Sequence, residues 1–279
     1  MKLEKLRRSV YSDELRFSGY KKWNGLSSSD LRILATNPHL FKIGQEPKPS
    51  DSKLLGSVVH CLILEPQNFE RDYLVSPKFD LRKKEDKASK ELLIQRALNE
   101  NKEIVSEEIH SKALEIAAAF KGTSVFEKYF QDLNNKYEAS FHSKLSVNGY
   151  AYEVKCRCDC VNFEKLLILD LKTTKAGGAK PAEFAKSVAN YGYALQAYFY
   201  KFITGCENFK FIAIETEPPY MCSVIELDSI AYEYGEAQIL KAFENYANLE
   251  KFKEPLYKSQ NGDDEHIITL PNWVFYENS

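Results

Sequence analysis

The sequence predicts an α/β fold in which a mixed sheet is flanked by helices and preceded by a helical N-terminal part. Three observations carry this. Apolar residues recur at helical spacing up to about residue 135, then switch to strand-like runs over 137–174. Asn148-Gly149 falls between two such runs, where it signals a tight hairpin. Beyond 174 the pattern is helix, two strands, helix. The order α…βββ–α–ββ–α suits a single domain over 1–279, with 1–135 mainly helical and 136–279 forming the core.

Taken in order, residues 1–26 are mixed and aromatic and predict no element. LSSSDLRILATNPHLFKI (26–43) predicts a short helix capped at Ser28 or Ser29 and stopped at Asn37-Pro38. EPKPSDSK (46–53) predicts a loop, and KLLGSVVHCLILEP (53–66) an apolar helix ended near Pro66. The charged run 80–90 predicts a solvated loop that leads into an amphipathic helix reaching 103; contact with an anionic partner stays open. Helices follow at about 106–120 and 123–134. Three strands fill 137–174, with turns at Asn148-Gly149 and at NFEK (162–165). PAEFAKSVANYGYALQAYFYKFITG (181–205) predicts a helix interrupted near Tyr191-Gly192. Strands at 209–216 and 221–227 flank Glu217-Pro218-Pro219, and 227–252 predicts a long helix.

Composition sets limits on function. The chain has 279 residues, 38 Lys+Arg against 40 Asp+Glu, so it is not coated in positive charge. A nucleic-acid site would have to be a local groove or channel. No apolar run approaches the ~20 residues of a membrane span, and the basic N-terminus lacks the apolar stretch of a signal peptide. A cytoplasmic protein is expected. The six cysteines include KCRCDC but no CxxC pair, which predicts free, buried thiols.

The candidate chemistry lies in LLILDLKTTK (166–175). An apolar strand here carries Asp170 and Lys172, which share one face because they are two apart. If NFEK closes a hairpin whose paired numbers have an odd sum, Asp159 on the preceding strand joins that face, with Arg157. Cys156, Cys158 and Cys160 then point the other way. Two converging carboxylates repel and usually share a proton or bind a cation. Oxygen ligands favour Mg²⁺ or Mn²⁺, and a neighbouring lysine suits metal-assisted phosphodiester hydrolysis. The plainer alternative is a solvated Asp–Lys pair. His60, on an apolar helix, is either a core residue or a further metal ligand. Gln196 and Tyr200, four apart on one helix face, are either core or polar contacts for the lysine or the phosphates.

Together these residues resemble a known family. Asp159, Asp170-Leu171-Lys172 and Gln196-x-x-x-Tyr200, with His60 upstream, resemble the RecB-like branch of the PD-(D/E)XK nucleases. GSVVHCLILEP, CRCDCVNFEKLLILDLKTT, NYGYALQAYFY, GLSSSDLRILATNPHLF and the terminal LPNW resemble segments of RecE-type exonucleases, over about residues 25–275. The resemblance implies a PD-(D/E)XK (restriction-endonuclease-like) core. It also implies a Mg²⁺-dependent 5′→3′ exonuclease, with Mn²⁺ able to substitute, that acts on ends of linear double-stranded DNA and leaves 3′ overhangs. It further implies a homo-oligomeric ring, a tetramer, working with a single-strand annealing recombinase of RecT type in a phage or prophage setting. The resemblance is to the catalytic domain of such exonucleases.

Carried over by residue, Asp159 and Asp170 would bind metal, with His60 and the Leu171 carbonyl completing the shell. Lys172 would position water and stabilise the transition state. Gln196 and Tyr200 would hold the lysine or the DNA backbone. Arg157, Thr173 and Thr174 would be DNA contacts, and Glu138 matches a frequent acidic position of open role. The late cysteine triplet of iron–sulfur relatives is missing. The competing readings are an endonuclease or repair-complex subunit on the same core, and an inactive DNA-binding protein. Lys172→Ala and Asp170→Ala are expected to abolish cleavage with folding nearly intact.

Overall fold

The computed structural model describes residues 2–6, 9–12, 15–44, 49–253, 265 and 268–269. The LPNW motif and Glu46–Lys48 of the expected loop lie outside them.

The N-terminal part is not purely helical. It opens with strands β1 (Leu3–Lys5) and β2 (Val10–Ser12) and helix α1 (Phe17–Lys22). Helix α2 (Ser28–Thr36) is capped by Ser27 rather than Ser28 or Ser29. Asp30 lies three residues after Ser27, and the two close a reciprocal capping box. After α3 (Pro38–Lys42), the Ser50 hydroxyl accepts from the Lys53 amide, so α4 (Asp51–Leu64) takes in residues expected in the loop. Next come α5 (Phe69–Asp72), β3 (Tyr73–Ser76), α6 (Lys84–Glu100), β4 (Glu103–Ser106), α7 (Glu107–Lys121) and α8 (Ser124–Phe130). From Lys84 onward the charged run is helix surface, not loop. Glu85 and Asp86 sit in its first turn, where they complement the helix dipole. β3 and β4 pair in parallel as a small separate sheet.

The second half holds β5 (Asn135–Val147), β6 (Tyr150–Asn162), β7 (Leu167–Thr174), α9 (Pro181–Tyr191), α10 (Tyr193–Thr204), β8 (Asn208–Glu215), β9 (Cys222–Ile225) and α11 (Ser229–Ala247). Asn148 (φ 52°) and Gly149 (φ 83°) are both left-handed, as the expected two-residue hairpin turn requires. Gly192 (φ 69°) makes the expected break between α9 and α10.

The main sheet runs β1-β5-β6-β7-β8-β9, with β2 also on β5; β7 and β8 are parallel and the other neighbours antiparallel. Helices cover both faces. One core joins Leu31, Leu34, Phe199, Phe211, Ile239 and Phe243, from the side of α2, α10 and α11. The other joins Val58, Val59, Ile116, Phe120, Leu169, Leu171 and Ile212, from the side of α4 and α7. This is the mixed, helix-flanked sheet of a PD-(D/E)XK core.

β6 meets β7 in the odd register: Cys160 faces Leu169, Val161 faces Ile168 and Asn162 faces Leu167. The cysteines depart from expectation. All three are buried, but Cys156 and Cys158 belong to the first core and Cys160 to the second. Strict alternation would keep them on one face. The pleat of β6 therefore breaks between Cys158 and Cys160, at Asp159. Opposite it on β5, Glu138 takes a left-handed backbone (φ 50°), and the ladder passes from Tyr137–Cys160 to Ala139–Cys158 around it.

Candidate active site

β6 pairs with β7 only as far as Cys160–Leu169, while β7 stays paired with β8 through Thr174. A slit opens where β6 and β7 part. The Asp159 carboxylate lies in it and accepts the Leu171 amide, Leu171 N–Asp159 Oδ2 2.7 Å. α4 closes one side and presents His60, whose Nδ1 is 3.5 Å from Asp159 Oδ2. β5 contributes Glu138. Ligand atoms of His60, Glu138 and Asp159 all lie within 4.8 Å of one another.

Asp170 and Lys172 stand on the α10 side. Asp170 is 1% exposed. Its Oδ2 accepts from Gln196 Nε2 at 2.8 Å, and its Oδ1 meets the Lys172 ammonium. That ammonium also lies 4.9 Å from the Tyr193 ring centroid and 5.8 Å from that of Phe211, both within cation–π range.

The electrostatics follow from burial and crowding. Burial, then the charge of Asp170, pushes Asp159 up to about 7; Lys172, the Leu171 amide and Arg157 only partly offset this. Burial and the charge of Asp159 likewise raise Glu138, against the pull of Arg157. Burial lowers His60 despite nearby Glu138 and Asp170, which leaves a neutral imidazole able to act as a ligand; a hydrogen bond to the Leu171 backbone favours its protonated form. Since the Leu171 amide is taken by Asp159, that backbone acceptor is the carbonyl. Burial pulls Lys172 down, but Asp170 and Asp159 outweigh it and its pKa is raised, so it is a cation at neutral pH.

A divalent cation fits this group. Two carboxylates held up by burial and by neighbouring acids, Asp170 for Asp159 and Asp159 for Glu138, beside a neutral imidazole, are relieved by positive charge. His60, Glu138 and Asp159 would hold it, with Asp170 and the Leu171 carbonyl adjacent.

Several predicted residues fall elsewhere. Tyr200 is buried in the α10 core, where burial first, then Tyr20 and the cysteines, drives its phenol far up; it does not hold Lys172. Arg157 is engaged internally, with Nε 2.6 Å from Glu138 Oε2 and Nη1 on Leu15 O and Ser140 Oγ, so it positions Glu138. Thr173 is half-buried at the slit, close to Gly56 of α4, where an added Cβ would lie 3.1 Å from its hydroxyl. Thr174 packs against Gly178. Tyr193 is a contact of the lysine that sequence reasoning missed, although its spacing two residues beyond Tyr191 was visible.

A family model described as a PDDEXK-like domain of unknown function, DUF3799, matches residues 17–261, which include every residue of the slit. The chain belongs to DUF3799. No curated protein matches it. Among solved structures, this DUF3799 chain is similar to a protein of Eubacterium rectale provisionally named an exonuclease. The TM-score is 0.57 and the identity 13%, over 95% of this chain and 98% of that one. At that identity the likeness shows the fold alone. A phage-related exonuclease from Haemophilus somnus aligns over 84% of this chain and 99% of its own at 12% identity. Its TM-score of 0.33 is too low to carry weight. Among the described residues no helix of the DUF3799 chain is long and apolar enough to cross a membrane.

Proposed function

We propose that this chain is a divalent-metal-dependent nuclease that hydrolyses DNA phosphodiesters at the slit between β6 and β7. One observation carries the reading: His60, Glu138 and Asp159, from α4, β5 and β6, bring ligand atoms within 4.8 Å of one another, and the buried Asp170–Lys172 pair of β7 lies close enough to act on Asp159 electrostatically. Binding DNA alone gives no reason to bury acids beside phosphates, because the like charges repel.

A bound Mg²⁺ or Mn²⁺ would polarise the scissile phosphate and lower the pKa of a water. The protein's own groups do the rest. His60, Glu138 and Asp159 offer the ligands, and Arg157 and the Leu171 amide hold the two carboxylates in place. Lys172 faces the reacting phosphate as a fixed cation that stabilises charge developing on its oxygens. Asp170 holds Lys172, and Gln196 holds Asp170. In this arrangement the lysine is a charge stabiliser rather than the base.

The finer reading is a 5′→3′ exonuclease on linear duplex ends that leaves 3′ overhangs for a RecT-type annealing partner, as a ring-shaped homo-oligomer. The motif order supports it. The deciding experiment digests linear and closed circular duplex DNA with Mg²⁺ or EDTA, labelling each end in turn. Mg²⁺-dependent release of 5′ label from linear DNA alone is expected. Cutting of the circle would make the enzyme an endonuclease, and no cutting in any metal would leave a DNA-binding protein.

A further inference from the structure

Arg32 projects from α2 with an exposed side chain. Its stem lies over Gly192, where an added Cβ would come within 2.9 Å of Arg32 Cδ and 3.0 Å of Cγ. Gly192 also has a left-handed backbone (φ 69°), which favours glycine at the turn beneath the arginine stem.

That glycine separates two tyrosines whose ring centroids lie 5.7 Å apart. Tyr191 is 57% exposed. Tyr193 carries the Lys172 ammonium on its ring. Burial raises the Tyr193 phenol, while Lys172 and, more weakly, Arg32 pull it down. An ammonium thus lies on the Tyr193 ring, and the Arg32 stem lies over the neighbouring Gly192.

Lys172 has its counter-ion in Asp170, but Arg32 has none. Of the other described arginines, Arg71, Arg82, Arg96 and Arg157 are each paired with a carboxylate, and the exposed Arg16 of the N-terminal segment is not. Among the described residues no carboxylate lies within ion-pair distance of Arg32. An exposed arginine seated at the rim of a site, unpaired and beside an exposed aromatic ring, has the chemistry of a nucleic-acid contact: a fork for phosphate oxygens and a face for a base or sugar.

We propose that Arg32 binds a backbone phosphate of the DNA other than the one being hydrolysed, with Tyr191 covering the adjoining sugar or base. The assignment rests on the nuclease reading and adds to it a substrate contact supplied by α2. Arg32 acts on binding rather than on the reacting atoms.

The test is binding of a fluorescent duplex oligonucleotide at several KCl concentrations, with Ca²⁺ in place of Mg²⁺, by wild type, Arg32→Gln and Arg32→Lys. Arg32→Gln should bind about tenfold more weakly, the scale of one charge-assisted hydrogen bond. The slope of log K against log salt should fall by about one phosphate's worth. Arg32→Lys should recover the slope but not all of the affinity. In cleavage, KM should rise with kcat unchanged. Wild-type affinity and slope in Arg32→Gln, for a protein that does bind DNA, would overturn the Arg32 assignment alone. A wild-type protein that binds no duplex DNA would overturn the nuclease reading and this assignment together.

Discussion

The carboxylate of Asp159 takes the amide of Leu171, 2.7 Å away, at the point where β6 and β7 cease to pair. Leu171 is buried, so its N–H needs an acceptor. Asn at 159 keeps one and Ala removes it. Asp159→Asn should therefore be more stable than Asp159→Ala by about 1–3 kcal/mol, while both lose about 100-fold or more in cleavage. Urea melts in EDTA beside a nuclease assay check this, and equal stabilities would refute it.

The Asp170–Lys172 pair is a buried one, which changes the expectation that either can be replaced with folding nearly intact. Removing one partner leaves a charge without its mate, at a cost of about 3–5 kcal/mol. Lys172→Met should cut cleavage by about 100-fold or more and destabilise the fold. The double variant Asp170→Asn, Lys172→Met should regain stability but not activity. A single variant as stable as wild type would show that the pair is solvated.

Asp159, at about 7, stands far above its unfolded value near 4. Below about pH 4 both states are protonated and the group has no effect. Between about 4 and 7 the unfolded chain has lost a proton that the folded chain keeps, so metal-free stability falls as pH rises and levels off above 7. Metal binding needs the ionised carboxylates, so Mg²⁺ affinity should rise through the same window. Thermal melts from pH 5 to 8 in EDTA and in Mg²⁺ should diverge upward in pH. Parallel curves would count against the metal site.

Gln196 and Tyr200 share a helix face but should behave differently. Gln196→Leu frees one oxygen of a buried carboxylate, with a loss of about 1–3 kcal/mol and of about 10–100-fold in activity. Tyr200→Phe should leave activity within about a factor of two, as expected away from special features. A large kcat loss in Tyr200→Phe would return that residue to the site.

Much of this was legible because strand and hairpin rules are local. Parity placed Asp170 with Lys172, Asn148-Gly149 set the long hairpin, and the odd register of the next turn brought Asp159 beside β7, where the break in the pleat turns it toward Leu171 and His60 instead of onto the α10 side of Asp170. The features left open or missed needed information from more than one strand. Glu138 joins the acids only because β5 and β6 are both distorted at that rung, and nothing in Tyr137-Glu138-Ala139 announces a left-handed glutamate. The same distortion parted Cys160 from its neighbours. Arg157 looked free until Glu138, Ser140 and Leu15 surrounded it. Ser27 won the cap from Ser28 and Ser29 through Asp30, a three-residue offset easily missed in a run of serines.

Glu138 has a further consequence. A glutamate with φ near 50° inside a strand sits where glycine or asparagine would be more at ease. Comfort of the backbone and usefulness of the carboxylate thus pull this position in opposite directions. In a lineage released from cutting DNA, the glutamate would be among the first site residues to drift toward glycine or asparagine. The residue found here in any relative would serve as a marker of whether that relative is a working enzyme or a retired one.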